Sequence, residues 1–117
     1  MTKRNVVHIE IPTTNGKASG AFYEKLFVWH IETDEKMNYT LFDPHEAPAG
    51  GFSDQIKIGQ VLLHVNSEDI EADLKHAVAL GGTIVSEKSE IPGIGWWGVF
   101  KDPTGNSIAL FKSARPG

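Results

Sequence analysis

One order of elements occurs twice in this chain: an alternating strand, a polar cap, an amphipathic helix, then further short strands. In the first copy, Val6 to Pro12 alternates Val7, Ile9 and Ile11 with His8, Glu10 and Pro12, giving one apolar and one more polar face. Thr13, Thr14 and Asn15 supply capping side chains, with Asn15 the expected cap of a helix over Gly16 to Phe27. The expected buried stripe of that helix is Ala18, Phe22 and Leu26, with Ala21 alongside. Gly20 is expected to weaken it modestly. Trp29 to Thr33 and Asn38 to Phe42 read as strands, and Asp43 to Gly51, with its prolines and glycines, as a loop.

The second copy starts after Lys57. Gly59 to Val65 reads as a strand, with Val61, Leu63 and Val65 on one face and Gln60, Leu62 and His64 on the other. Asn66 and Ser67 are the expected caps of a second helix, and Glu68, Asp69 and Glu71 would load its first turn with the charge that a helix dipole favours. Its stripe is Ile70, Leu74, Ala77 and Val78, and Gly81 and Gly82 end it. Thr83 to Ser86, Trp96 to Phe100 and Ser107 to Phe111 read as strands, the last two joined by the turn Asp102-Pro103-Thr104-Gly105. At an offset of 52 residues His8 falls on Gln60, Ile9 on Val61, Asn15 on Ser67 and Phe22 on Leu74, as an internal duplication would give.

Two such units in 117 residues fit one domain over 1–117, with modules of about 1–56 and 57–117. The formal net charge of −4, with no basic block, argues against a nucleic-acid surface. The absence of cysteine excludes disulfides, thiolate catalysis and thiolate metal sites. The stretch from Met1 to Val7 is too short for a signal-peptide core and no run approaches a membrane span, so a soluble cytoplasmic protein that binds neither membrane nor nucleic acid is expected.

The runs His8-Ile9-Glu10-Ile11-Pro12, Phe22-Tyr23-Glu24-Lys25-Leu26-Phe27 with Trp29, Ala79-Leu80-Gly81-Gly82-Thr83 and Phe100-Lys101-Asp102-Pro103-Thr104-Gly105-Asn106 resemble the vicinal oxygen chelate superfamily, which includes glyoxalases, bleomycin-resistance proteins and extradiol dioxygenases. The likeness is strongest to small glyoxalase-like proteins. One departure is Val28, where that family usually has a glycine ending the first helix. The resemblance implies an α+β fold of two paired βαβββ modules, their strands curving into a half-barrel with helices outside and a ligand cavity on the concave face. It also implies four metal ligands, one from the first and one from the last strand of each module, where a divalent ion could bind neighbouring substrate oxygens. Matched position by position, the first-strand ligand is His8 and its second-module counterpart Gln60. The last strand of the second module offers Ala109 where glutamate is usual, and that of the first passes through Gly50, Gly51 and Phe52. No metal and no other cofactor is therefore expected, apart from a rearranged set of His8, Glu10 and His64.

His8 and Glu10 share a strand face, either as an acid–base pair or ligand contact, or as a hydrogen-bonded pair on a wet face. His64, placed at a strand end, is expected to be more exposed. If the last turn is a type I turn with a glycine bulge, Asp102 opposes Asn106, Val99 opposes Ala109 and Trp97 opposes Phe111. Trp97, Val99, Ala109 and Phe111 then form an apolar wall suited to a planar ligand, or else Trp97 fills the cavity or seals a dimer contact. Phe100, Ile108 and Leu110 go under a helix. Trp96 and Trp97 point to opposite faces, so one of the two is expected to be exposed. His30, His45 and His76 read as surface residues. The expected ligand set is His8, Glu10, Gln60, Leu62, His64, Trp97, Val99, Ala109 and Phe111, with His8 and Glu10 the catalytic candidates. The expected function is binding of a small, partly apolar molecule by a symmetric homodimer. The alternatives are a glyoxalase-like lyase or isomerase and a non-catalytic interaction domain.

Overall fold

The computed structural model describes residues 3–115; Met1, at the head of the stretch read as too short for a signal peptide, lies outside the described residues. The chain divides into two compact units, Val7–Leu63, and His64 onward together with the N-terminal segment through Val6. In this division the start of the chain joins the second unit. Among the described residues no helix is long and apolar enough to cross a membrane.

Module one runs β1 (Val6–Pro12), α1 (Gly16–Phe27), β2 (His30–Asp34), β3 (Tyr39–Asp43) and β4 (Ala49–Ser53). Its strands pair in the order β2-β3-β4-β1, with β1 parallel to β4 and the other pairs antiparallel. The loop expected over 43–51 is shorter, because Asp43 closes β3 and Ala49, Gly50 and Gly51 are strand residues. Glycine there marks close approach rather than a turn. A Cβ on Gly50 would run into the Ile9 carbonyl and the Phe42 ring, and one on Gly51 into the Tyr39 ring.

The α1 bounds and the Asn15 cap are as expected, with Asn15 Oδ1 accepting the Ala18 N–H at 3.1 Å. The buried face is not. Phe22 and Leu26 are 59% and 56% exposed, and Ala18 and Ala21 are exposed too. The helix turns Gly16, Gly20 and Tyr23 inward instead. A Cβ on Gly20 would sit 2.8 Å from Ile31 Cγ2, so glycine is what lets the helix backbone approach the sheet. Tyr23 stacks on Phe52 and Trp29, and Trp29 on Phe42, so aromatic rings fill the space that the expected stripe was to fill. The helix ends on Val28 in the left-handed conformation, φ 59°, its N–H bonded to the Glu24 carbonyl at 2.9 Å. A β-branched residue is strained there. Val28→Gly is expected to raise stability by about 1 kcal/mol, read as a higher urea midpoint at unchanged slope; an unchanged or lower midpoint would show that Val28 is not strained.

Module two runs β5 (Leu62–Asn66), α2 (Ile70–Ala79), β6 (Thr83–Ile91), β7 (Gly95–Lys101) and β8 (Ser107–Ser113). Its pairing order is β5-β8-β7-β6, with β5 parallel to β8. The first strand starts at Leu62 rather than Gly59. Gln60 precedes it, exposed, its N–H closing a turn on the Lys57 carbonyl at 3.0 Å. Val61 is exposed as well, against expectation. Strand β6 runs on past Ser86 to Ile91 with two shifts of register against β7.

The α2 cap is Asp69, which accepts the Ala72 N–H at 3.0 Å, not Asn66 or Ser67; the first-turn acids are Glu71 and Asp73. Ser67 is buried and donates to Asp73 Oδ2 at 2.6 Å. Asn66 takes up the N-terminal segment, its N–H bonded to the Asn5 carbonyl and its side-chain amide to the Lys3 carbonyl. Arg4 grips Asp73 through both guanidinium nitrogens, at 2.6 and 2.7 Å, and this holds the Asp73 carboxyl below the usual carboxylate range. Ile70 and Leu74 pack on Leu110, with Val65, Ile84, Trp96 and Phe100 around them. Val78 faces out, against expectation. Trp96 and Trp97 are both half-buried, Trp96 lying under the Lys88 and Lys112 ammonium groups.

The last hairpin has the expected register: Val99 opposes Ala109, Trp97 opposes Phe111, and the Asp102 N–H meets the Asn106 carbonyl at 2.9 Å. Gly105 supplies the positive φ of 97° that this turn requires. Asp102 Oδ1 accepts the backbone N–H groups of Asn106 and Thr104, which pull its carboxyl down to about 2.

The duplication is real in pairing, at a different offset. The caps Asn15 and Asp69 are 54 residues apart. Thr13 and Ser67, both buried, donate their N–H groups to last-strand carbonyls, those of Ser53 and Phe111. The pairs Glu10↔Gly51, Ile11↔Phe52 and Pro12↔Ser53 of module one recur as His64↔Ala109, Val65↔Leu110 and Asn66↔Phe111. His8 therefore corresponds to Leu62, not Gln60, and Glu10 corresponds to His64.

Candidate functional site

Strand alternation and pairing put His8, Glu10, Gly51, Tyr39, Leu41, Asp43, His30 and Glu32 on one face of the module-one sheet. Ile9, Ile11, Phe42, Phe52 and Ile31 take the opposite face, on which α1 packs. The first face is the chemical one. A hollow of about 520 Å³ opens at it, with His8, His30, Glu32, Asp43, His45 and Glu46 among its walls.

Three side chains meet on this face, and of the three His8 also lines the hollow. His8 Nε2 lies 3.2 Å from the Tyr39 hydroxyl, and that hydroxyl donates to Glu10 Oε2 at 3.2 Å. Tyr39 reaches this position because the residue beneath its ring is Gly51; any Cβ there would occupy the ring's place. Burial first, and then the Glu10 carboxylate, push the Tyr39 phenol above its ordinary value, so the hydroxyl keeps its proton. The expected pairing of His8 with Glu10 on one face thus holds, with Tyr39 bridging them. Tyr39 was not anticipated. Its place two residues before Leu41 on a strand implies only a shared face, and its reach over Gly51 follows from a pairing that the sequence does not display.

In module two, Leu62, His64, Val99, Ala109, Trp97 and Phe111 share a face of their own sheet. Leu62, His64, Val99 and Ala109 are buried, and Trp97 and Phe111 half-buried. His64 is buried where exposure was expected, because β8 runs alongside it, with Ala109 as its in-register partner. Gln60 lies off this face. His30, His45 and His76 are exposed, as expected.

Of the four ligand positions implied by the resemblance, only the one at His8 carries a metal-ligating side chain. Among the described residues no three or more His, Cys, Asp or Glu are placed to hold a metal ion. The corrected repeat makes the mismatch plain. The first-strand positions are His8 and Leu62, and the last-strand positions are Gly51 and Ala109. Ala109 has no exposed surface, and Gly51 lies under Tyr39.

The family model of the glyoxalase-like domain matches residues 6–111. No curated protein sequence matches. Among solved structures, a hypothetical protein from Bacillus halodurans is similar at 12% identity, TM-score 0.71, with 99% of each chain covered. Methylmalonyl-CoA epimerase from Mycobacterium tuberculosis is similar at 14% identity, TM-score 0.68, with 98% of this chain and 93% of that one covered. The NAD-dependent benzaldehyde dehydrogenase structure from Legionella pneumophila is similar at 17% identity, TM-score 0.66, with 91% and 97% covered. At these identities the likeness is one of fold.

Proposed function

The chain belongs to the glyoxalase-like domain family of the vicinal oxygen chelate superfamily, and from that membership we propose that it binds a small, partly apolar organic molecule without a metal centre. The observation that carries this reading is the bonded set His8, Tyr39 and Glu10, whose member His8 lines an open hollow, in a chain whose last-strand positions are Gly51 and Ala109. His8, Tyr39 and Glu10 supply polar contacts. The face carrying Trp97, Val99 and Phe111 is a second surface suited to planar or apolar groups. The protein is proposed to work in the cytoplasm as a homodimer.

A second reading, a lyase or isomerase that uses His8 and Glu10 to move a proton, is favoured by the same bonded set, since it brings a histidine and a carboxylate to one hydroxyl on one strand face. The two share a test. Protein purified without a metal-binding tag is expected to carry no stoichiometric nickel, zinc, iron or manganese. It is also expected to show a saturable rise in melting temperature with a member of an aromatic or dicarbonyl library, abolished in His8→Ala. A stoichiometric ion lost on His8→Ala would overturn the metal-free reading. Turnover of the hit compound would decide for the enzyme. A chain that responds to no compound would be an interaction domain instead.

A further inference from the structure

We propose that a hollow of about 340 Å³ beneath the C-terminal end of α2 is a binding site for a small uncharged molecule built on one aromatic ring. The reason lies in what module one puts in the same place. The caps Asn15 and Asp69 align Tyr23 with Ala77, and the strand pairs align Phe52 with Leu110. Trp29 stands immediately before β2, and Gly82 immediately before β6. In module one these positions hold rings, with Tyr23 stacked on Trp29 and on Phe52 at centroid distances of 5.4 and 5.6 Å. In module two they hold a methyl group, no side chain and an isobutyl group, and Ala77, Gly82 and Leu110 all line the hollow. Gly82 cannot contribute more, because a Cβ there would lie 2.6 Å from the Lys101 carbonyl oxygen and 3.0 Å from that of Ala77. The helix therefore closes on its sheet through Ile70 and Leu74 and leaves a gap at its far end, where the rings of module one have no counterpart.

The walls set the class of occupant. Val65, Phe100 and Leu110, which belong to the core around Ile70 and Leu74, form an apolar floor. Phe100 pairs with Ile108 as Phe42 pairs with Gly50, so it keeps the ring of its counterpart and offers an entering ring one aromatic partner. The size fits a small molecule, since an apolar cavity of about 150 Å³ already takes benzene. The charged groups at the walls are matched within the fold. Arg4 and Asp73 hold each other, and Asp102 accepts the N–H groups of its own turn. Strand alternation starts the Lys101 side chain on the opposite sheet face, that of Val99. An anionic ligand would compete with Asp73 for Arg4, and a cationic one with Arg4 for Asp73, and either exchange breaks a bidentate pair. An uncharged ring breaks nothing, and a hydroxyl on it has the exposed His76 imidazole as a partner. This site does not depend on the proposed role of His8, so either can fail alone.

The probe is 4-methylphenol, added to nitrogen-15-labelled protein and read by amide shifts. Saturable shifts are expected at Val65, Ala77, Leu80, Phe100 and Leu110. The saturated analogue 4-methylcyclohexanol is expected to bind on the order of tenfold more weakly, and benzoate, at a pH where it is charged, is expected not to saturate. Ala77→Tyr puts the ring of module one back and is expected to abolish the shifts. Val78→Tyr places the same side chain on the exposed face of α2 and is expected to leave them. No saturable shift, shifts confined to other residues, equal binding of the saturated analogue, saturation by benzoate, or a folded Ala77→Tyr protein that still binds would each overturn the proposal. Shifts at the same residues on raising the protein concentration alone would overturn it too, since a second copy of the chain would then be the occupant. The wild-type shift map and the three probes decide it even where Ala77→Tyr does not fold.

Discussion

Gly50→Ala is expected to destabilise the protein by about 3 kcal/mol or more, a fall in melting temperature on the order of 10–15 °C for a chain of this length. The added methyl meets the Ile9 carbonyl oxygen and the Phe42 ring. The carbonyl cannot yield, because Ile9 and Gly50 are register partners in the parallel pair of β1 and β4. Phe42 cannot yield easily either, since it is buried between Trp29 and Phe52. Gly51→Ala adds the same methyl one residue later, with a different outcome. It meets the far end of the Tyr39 side chain, which can swing aside. The expected result is a smaller loss of stability together with loss of the Tyr39 bonds to His8 and Glu10. Thermal or urea unfolding ranks the two variants. If Gly51→Ala proves the more damaging, Tyr39 is a structural pillar of the sheet and its role at His8 is secondary.

These two glycines also show where the sequence was legible and where it was not. Alternation and capping gave β1, α1 with its Asn15 cap, the glycine end of α2 and the register of the last hairpin, because each depends on neighbours within a few residues. By composition the β4 glycines read as loop, and only the resemblance put a strand through them, since the contacts that demand glycine come from Ile9, Phe42 and Tyr39 across the sheet. The inward face of α1 was missed for a related reason. A stripe of Ala18, Phe22 and Leu26 has the right period, but close approach through Gly16 and Gly20 and the stacking of Tyr23 decide which face turns in. The repeat was seen and its offset misjudged by two residues. Similar alternation at both offsets hides the shift, which the caps and the buried hydroxyls of Thr13 and Ser67 reveal. At the site, His8 and Glu10 were legible as a strand pair. Gln60 entered only through the wrong offset, and Tyr39 is joined to them by tertiary packing alone.

Ala109→Glu addresses the metal question from the opposite direction. The position has no exposed surface and lies beside His64 on β5 and Val99 on β7. A carboxylate forced into it loses its water, so a loss of about 3–5 kcal/mol is expected. Ala109→Leu, which adds bulk without charge, separates crowding from desolvation and is expected to lose less. Adding nickel, zinc or manganese to Ala109→Glu is then the informative step. A metal that binds only the folded state raises stability in proportion to the logarithm of its excess over Kd. With Gly51 and Leu62 at two of the remaining ligand positions, the restored carboxylate has too few companions. No recovery of melting temperature is expected. A recovery of many degrees in the variant, absent in wild type, would mean that the other donors still converge and that one methyl group at position 109 is all that separates this chain from a metal-binding one. The proposed metal-free site would then be a recent loss rather than a rebuilt centre, and His8 would have to be read as a ligand in waiting.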